Sequence, residues 1–418
     1  MTLPNHIAVF LSNKANKNVL VQQLLNKNAT GQFAVFNSLE GALFSAIAIK
    51  QLVEEEEQHD YIEVATSANR HLRTLSGGEQ KKALLSYLLA KQPAFIIADN
   101  PFDNLDFASQ ETLLQMFTDI AKHTHIIQLI TRAADRLPFI TNAVGITDDN
   151  IVIDYKTVHG YLLHHQEKLL PFLTGTIPVS DYHYGIINNP LVQFNNVTVQ
   201  YGDRVIVKDI NWQINSGQFW HLVGPNGAGK TTLLSLITGD NLKGYGQNLL
   251  LFGKRKGTGE SVWSIKQKIG YFTSSITDLF SRYTEVGQMI ISGFFDSVGL
   301  YTKPSARQVK LANQWLELIG MLPQKKSLFH TLSLGQQRMV LIVRAMVKHP
   351  PLLIVDEPTA GLDDANAAIV VALINKIAGE SSTAILYVSH RAEAGLAPKF
   401  IFELTATGQG STGKVIIV

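Results

Sequence analysis

The chain of 418 residues contains no cysteine. Disulfides, cysteine metal ligands and cysteine nucleophiles are therefore excluded. Charged residues are scarce at 17%, and 36 Lys plus Arg nearly cancel 34 Asp plus Glu, for a net charge of +2. No strong field of either sign points to nucleic acid or anionic lipid. No apolar run approaches the roughly 18 residues that a spanning helix needs, and Ala42–Ile49 is far too short. The opening MTLPNHIAVF lacks the basic and apolar blocks of a secretory signal. These absences predict a soluble, cytoplasmic chain whose membrane role, if it has one, rests on a separate partner at the inner face of the plasma membrane. What the chain does have is core-forming material: 45% of residues are hydrophobic, enough for two or three domains.

Residues 224–231 read Gly224-Pro225-Asn226-Gly227-Ala228-Gly229-Lys230-Thr231, a complete G-x-x-x-x-G-K-[ST] phosphate-binding loop. The preceding HLV suits a strand and the following LLSLI a helix. Glycines let the backbone turn its N–H groups toward phosphate oxygens, and the new helix offers its positive end to the same anion. Lys230 is placed to reach the β- and γ-phosphates, and the Thr231 hydroxyl to hold Mg²⁺. Thr232 follows at the helix start. A nucleoside triphosphate is the expected ligand.

The chain also repeats itself. Leu75–Asp106, LSGGEQKKALLSYLLAKQPAFIIADNPFDNLD, aligns without gaps to Leu332–Asp363, LSLGQQRMVLIVRAMVKHPPLLIVDEPTAGLD, with 12 identities in 32 positions. Ser76 to Asp99 and Ser333 to Asp356 are both 23 residues apart, while Asp99 to Arg132 is 33 and Asp356 to His390 is 34. Two copies of one module follow from this spacing.

These motifs resemble the ATP-binding-cassette (ABC) ATPases. In the second copy Gly224–Thr231 resembles the Walker A loop, Leu352–Pro358 (LLIVDEP) Walker B, Leu332–Gln337 (LSLGQQ) the LSGGQ signature, Ala360–Asp363 the D-loop, and His390 the switch histidine. Tyr201, in VQYGDR, matches the aromatic residue that stacks on adenine. The implied fold is α/β, with two P-loop NTPase domains of the ABC type, the first degenerate and truncated. The expected boundaries are 1–155 for the degenerate domain, 156–190 for a linker and 191–418 for the complete domain.

In the first copy the signature Leu75–Gln80 (LSGGEQ) is intact and the phosphate loop is not. Aligning VFLSNKANKN with LVGPNGAGKT puts Leu11, Lys14 and Asn16 on the three glycines, Lys17 on the lysine and Asn18 on the threonine. Side chains at those glycine positions should block a phosphate's approach, leaving Lys17 as an ordinary solvated lysine. Asn100 replaces the Walker B glutamate and Arg132 the switch histidine. The strands that would carry an adenine-stacking aromatic are missing, and much of the helical arm is trimmed.

Cassettes of this family pair head to tail, each nucleotide lying between one Walker A and the other signature. The resemblance therefore implies one competent composite site. There Lys230 and the loop amides would hold the ATP phosphates. Thr231 and Asp356 would hold Mg²⁺, Glu357 would act as general base and His390 would contact the γ-phosphate. Ser76, Gly77, Gly78 and Glu79 of the first copy would supply donors from the opposite side. The broken loop and the altered LSLGQQ, with Leu334 in place of a glycine, fall together on the other, relic site. Ser274 stands where the family usually has a glutamine that relays nucleotide state.

Leu233–Tyr271 and Ile291–Tyr301 resemble, more narrowly, a branch of twin cassettes connected with molybdate transport and with photorepair. That implies an ATPase energising a separately supplied metal-oxyanion permease. The alternative is a soluble ATP-switched protein acting in DNA photorepair or on ribosomes. The connector is short and not strongly basic, and Lys254-Arg255-Lys256 is only three residues long, so no basic surface indicates nucleic acid or a ribosome.

Overall fold

The computed structural model describes every residue except 1–4, 14, 60–69, 104, 167–172, 174, 180–183, 186–187, 281–282 and 391–392. The chain divides into two compact units, the first comprising residues 1–169 with 361–365 and the second 170–360 with 366–418.

The first unit runs β1 (Ile7–Leu11), α1 (Lys17–Leu25), β2 (Gly41–Phe44), α2 (Ala46–His59), α3 (Gly77–Ala90), β3 (Phe95–Asp99), α4 (Phe107–Ile120), β4 (His125–Ile130), β5 (Asn142–Ile146), β6 (Val152–Asp154) and α5 (Val158–Gln166). Its sheet has the order β2-β3-β4-β1-β5-β6, parallel except for the last pair. IAVFL is apolar throughout, and FIIAD is apolar up to its final Asp99, because helices cover both faces of a parallel sheet. Alternate residues feed two separate cores: Ala8, Phe10, Ile96 and Ala98 pack on one face, Ile7, Val9, Phe95 and Ile97 on the other. Helix α5 lies within the segment read as linker, yet it belongs to this unit, with Tyr161 stacked 3.7 Å from Phe10. Pro171 and most of HHQEKLLPFL lie outside the described residues.

The second unit runs β7 (Val192–Tyr201), β8 (Arg204–Ile214), β9 (Phe219–Val223), α6 (Lys230–Ile237), β10 (Leu249–Leu251), β11 (Lys254–Arg255), α7 (Val262–Lys266), β12 (Ile269–Thr273), α8 (Val286–Ser292), α9 (Ala306–Leu318), α10 (Leu334–Met346), β13 (Leu352–Asp356), α11 (Asp364–Glu380), β14 (Ala384–Val388), β15 (Phe400–Thr405) and β16 (Thr412–Ile417). Its main sheet, β12-β13-β14-β9-β15-β16, repeats the first unit's order strand for strand, with the same antiparallel final pair. A second sheet, β11-β10-β7-β8, has no counterpart among the described residues of the first unit.

The repeat extends to backbone conformation. Asn100 and Glu357 occupy the left-handed region at φ 43° and 49°, and Gln92 and His349 both sit at φ 50°. Both signature helices, α3 and α10, begin with reciprocal capping boxes, Ser76 with Glu79 and Ser333 with Gln336.

Phe402 on β15 closes the second core. It is fully buried, stacks on Trp212 at 4.2 Å, and fits because Gly413 beside it has no Cβ. Phe402→Ala should destabilise this unit by about 3–5 kcal/mol. Denaturant unfolding followed by the fluorescence of the four tryptophans, all in this unit, measures that loss.

Candidate functional site

The second unit gathers its chemistry along one edge of the main sheet. β9, β14 and β13 are adjacent and parallel, with Leu222 opposite Val388 and Val388 opposite Asp356. Functional residues follow immediately after the carboxyl ends of these strands: the loop after β9, Glu357 after β13 and His390 after β14. This is the edge where open α/β sheets bind ligands.

The loop turns back as Ala228 N–H donates to Pro225 O at 3.2 Å. It then passes through Gly227 at φ 77° and Gly229 at φ 95° into α6. A Cβ on Gly229 would lie 2.5 Å from Val207 Cγ1, so both conformation and space require glycine. Lys230 starts the helix, and its Nζ donates to Gly224 O (2.6 Å) and Pro225 O (3.1 Å), arching over the loop. Asn226, Gly227 and Thr231 are exposed, Thr232 half-buried and Ala228 buried. A cleft of about 930 Å³ opens beside Gly227, walled by Arg204, Ile206, Lys208 and Gln409. Tyr201 ends β7 half exposed. Its hydroxyl accepts from Asn241 Nδ2 at 2.9 Å, and the Lys243 ammonium lies 5.9 Å from its ring.

Asp356 ends β13 in surroundings that disfavour its charge. Burial and the neighbouring Glu357 push its pKa up to about 6, against the pull of Lys230. Glu357 is turned by its positive φ so that Oε1 meets both His390 Nδ1 (2.9 Å) and the His390 N–H (3.2 Å). His390 Nε2 is buried and has no hydrogen-bond partner among the described residues. A γ-phosphate oxygen fits that orphaned atom. Behind it, His221 on β9 shares a 2.9 Å hydrogen bond with Ser389 Oγ. Burial drives the His221 pKa down to about 4, so the ring is neutral at physiological pH. No sequence signal marked His221 or Ser389, because their pairing exists only once β9 and β14 lie side by side. Ser274 follows β12, where its carbonyl accepts from Arg338 Nη1 at 3.0 Å.

The first unit's counterpart carries two corrections to the sequence reading. First, the ladders set Leu129 opposite Asp99 and Val388 opposite Asp356, so the residue equivalent to His390 is Thr131, not Arg132. The alignment by spacing was one residue out. Arg132 is buried and donates from Nε to Leu362 O at 2.9 Å. Second, Lys17 is not an ordinary solvated lysine. Its Nζ bonds both oxygens of Asp99, at 2.8 and 2.7 Å. Asn100 does occupy the Glu357 position, and the N–H groups of both donate to the neighbouring strand at 2.9 Å. Lys14 lies outside the described residues.

In the first unit's signature, Ser76 Oγ accepts from the Glu79 N–H (3.3 Å), while Glu79 accepts from the Ser76 N–H (2.8 Å) and pairs with Arg70. The backbone and hydroxyl of Ser76 hold the Glu79 carboxyl below the usual range. Glu79 therefore serves as a cap. A Cβ on Gly77 meets nothing within 4 Å, whereas one on Gly78 would lie 2.6 Å from Ser109 Oγ.

A glycine-turned loop, a lysine at a helix start, a strand-end aspartate and a glutamate held by histidine define an ATP-hydrolysing nucleotide-binding protein of the ABC class. The comparisons agree. The ABC transporter family profile matches residues 207–360. The ABC transporter ATP-binding protein ModF of Escherichia coli (strain K12) is 40% identical over 334 residues, covering 78% of this chain and 68% of the relative. The chain belongs to the ABC transporter ATP-binding family and is an ATPase. An uncharacterised ABC transporter ATP-binding protein of Bacillus subtilis (strain 168), YlmA, is 33% identical, covering 49% of this chain and 77% of its own. In a structure titled as ribosome-bound archaeal Pelota and ABCE1, one chain matches 99% of this chain and 75% of its own, at TM-score 0.65 and 14% identity. That likeness concerns the fold. No described helix is long and apolar enough to cross a membrane.

Removing the Lys230 ammonium removes a charge-assisted contact to phosphate worth about 1.5–3 kcal/mol. Lys230→Ala should lower ATP affinity roughly 10- to 150-fold, as read by titration calorimetry.

Proposed function

We propose that this chain hydrolyses ATP at one site, built on the second unit, and energises a separately supplied permease for molybdate or a related metal oxyanion. The Glu357–His390 pair beside the phosphate loop carries the hydrolytic part of this reading. The name of the Escherichia coli relative and the segments quoted above support the transport part. The soluble alternative, action in photorepair or on ribosomes, has the weaker support: the net charge is only +2 and the match to the ribosome-bound chain concerns fold alone.

In the proposed reaction Lys230 and the amides of Gly227, Gly229 and Thr231 bind the β- and γ-phosphates, and Tyr201 stacks on the base. Glu357, oriented by His390, accepts a proton from a water. The water oxygen bonds the γ-phosphorus as the β–γ bridging P–O bond breaks, releasing ADP and phosphate. His390 Nε2 is the group that meets the γ-phosphate. The Thr231 hydroxyl and the Asp356 carboxylate are hard oxygen donors suited to Mg²⁺, which would neutralise phosphate charge when bound. Ser76, Gly77 and Gly78 are proposed to complete the site from the first copy's signature, on the strength of the family's head-to-tail pairing.

Three measurements test this reading. Asp356 must be ionised to hold Mg²⁺, and its raised pKa of about 6 sets the window. A protonated carboxyl predominates below that pH, so apparent Mg²⁺ affinity should fall by up to about tenfold per pH unit there and level off above it. Asp356→Asn should be weak and flat across the range. The signature assignment is tested at position 77, because a side chain at 78 would strike Ser109 whatever its function. Gly77→Asp should abolish steady-state ATPase while leaving ATP binding intact, and Leu334→Asp, the matching change in the second copy, should keep ATPase within a few-fold of normal. The reverse pattern would remove Ser76, Gly77 and Gly78 from the active site. For the transport part, affinity capture of Glu357→Gln with ATP should recover a membrane permease. Recovery of ribosomes or DNA instead would overturn it.

A further inference from the structure

The first unit's loop 12–17 keeps the opening turn of a phosphate loop. Ala15 N–H donates to Ser12 O at 3.0 Å, matching the Ala228-to-Pro225 bond. The two loops differ at the residue after that turn, where Asn16 sits at φ −86° and its equivalent Gly229 at φ 95°. The polar groups of loop 12–17 find partners within the first unit. Asn16 N–H, the equivalent of the Gly229 amide, donates to Asn150 Oδ1 at 2.6 Å. Asn13 N–H donates to Asp363 Oδ2 at 3.1 Å, and Asn13 Oδ1 accepts from the Asp363 N–H at 2.9 Å. Asp363 belongs to the 361–365 segment that is part of this unit. Lys17, the equivalent of Lys230, gives its ammonium to Asp99, the equivalent of Asp356, in a bidentate pair that leaves Asp99 only 9% exposed.

We propose that loop 12–17 is a converted phosphate loop whose permanent ligands belong to the chain itself. A side-chain amide oxygen and a carboxylate stand on its N–H groups, and a carboxylate takes its lysine. The first unit is thereby held in a ligand-filled state that neither needs nor admits nucleotide. The Lys17–Asp99 pair joins the residues that a nucleotide site would place on phosphate and on metal, so each quenches the other. An incoming phosphate would have to break a charge-assisted hydrogen-bond pair and displace Asn150, on a loop whose Asn16 lacks the left-handed glycine conformation that points amides inward.

This inference rests on the second unit's loop being the true phosphate loop, and one experiment tests the two separately. Amide hydrogen exchange is followed on the full chain with and without Mg-ATP. The peptide covering 11–19 should be protected without nucleotide and unchanged by it, while the peptide covering 224–233 should gain protection on Mg-ATP. Protection of 11–19 that appears only with Mg-ATP overturns the proposal. Failure of 224–233 to respond overturns the active-site reading instead. Asn150→Ala should raise exchange of the 11–19 peptide about tenfold, one hydrogen bond's worth of protection, and leave ATPase within about twofold because the Asn150 side chain bonds Asn16 and none of the groups assigned to hydrolysis. Lys17→Met should act on the same peptide. If neither variant changes its exchange, these partners do not hold the loop and the proposal fails.

Discussion

The hydrogen bond from the Glu357 N–H to Val388 O fixes the geometry of the catalytic edge. It forms just beyond the last paired residue of β13, and it is made by a residue in the left-handed region, where a side chain costs about 1–2 kcal/mol. The cost is met because the amide would otherwise be an unsatisfied donor at a buried strand end. That single turn leaves Asp356 facing Lys230 and swings Glu357 onto His390. Asn100 and Leu129 make the same bond with the same φ sign in the first unit. The bend therefore belongs to the fold, and the chemistry depends only on which side chain the bend carries.

That separation explains how one copy could lose its chemistry and keep its architecture. The cores of both sheets are filled by strand interiors and helix faces, whereas the reactive groups sit at strand ends or in the loops beyond them. Replacing a glutamate by Asn100, or the histidine by Thr131, removes no core contact. The phosphate loop obeys the same rule with one difference. Its amides are backbone groups that must find acceptors in any folded state. When Asn16 could not adopt the glycine conformation, Asn150 supplied the acceptor.

The motifs that were legible in the sequence are those whose chemistry is local. A helix N-terminus, a glycine turn and a strand-end acid each declare themselves within about ten residues. The repeat was legible too: 12 identities in 32 positions implied two copies of one module, and the two main sheets share one strand order. What escaped depends on distant pairing. Spacing alone counted Arg132 onto His390, and only the ladder between β3 and β4 shows the offset of one. Lys17 read as a surface lysine because its partner is 82 residues away. Helix α5, weakly amphipathic, reads as linker in the sequence because its anchor, the stacking of Tyr161 on Phe10, is distant in the chain.

The first copy's signature poses the sharpest question about what this unit still does. Ser76 and Glu79 explain themselves as a capping box, so a helix start alone would favour them. Gly78 is likewise accounted for by the close approach of Ser109. Gly77 is not. It is exposed, has no positive φ, and a Cβ there would enter open space. Glycine at a helix N-terminus costs conformational entropy that almost any other residue would spare. The equivalent position in the second copy is Leu334, which shows that this fold accepts a large side chain at that point. Internal packing therefore places no demand for glycine at position 77. Bare backbone at the tip of a helix dipole is what a close-approaching anion requires, in keeping with the role proposed for Gly77.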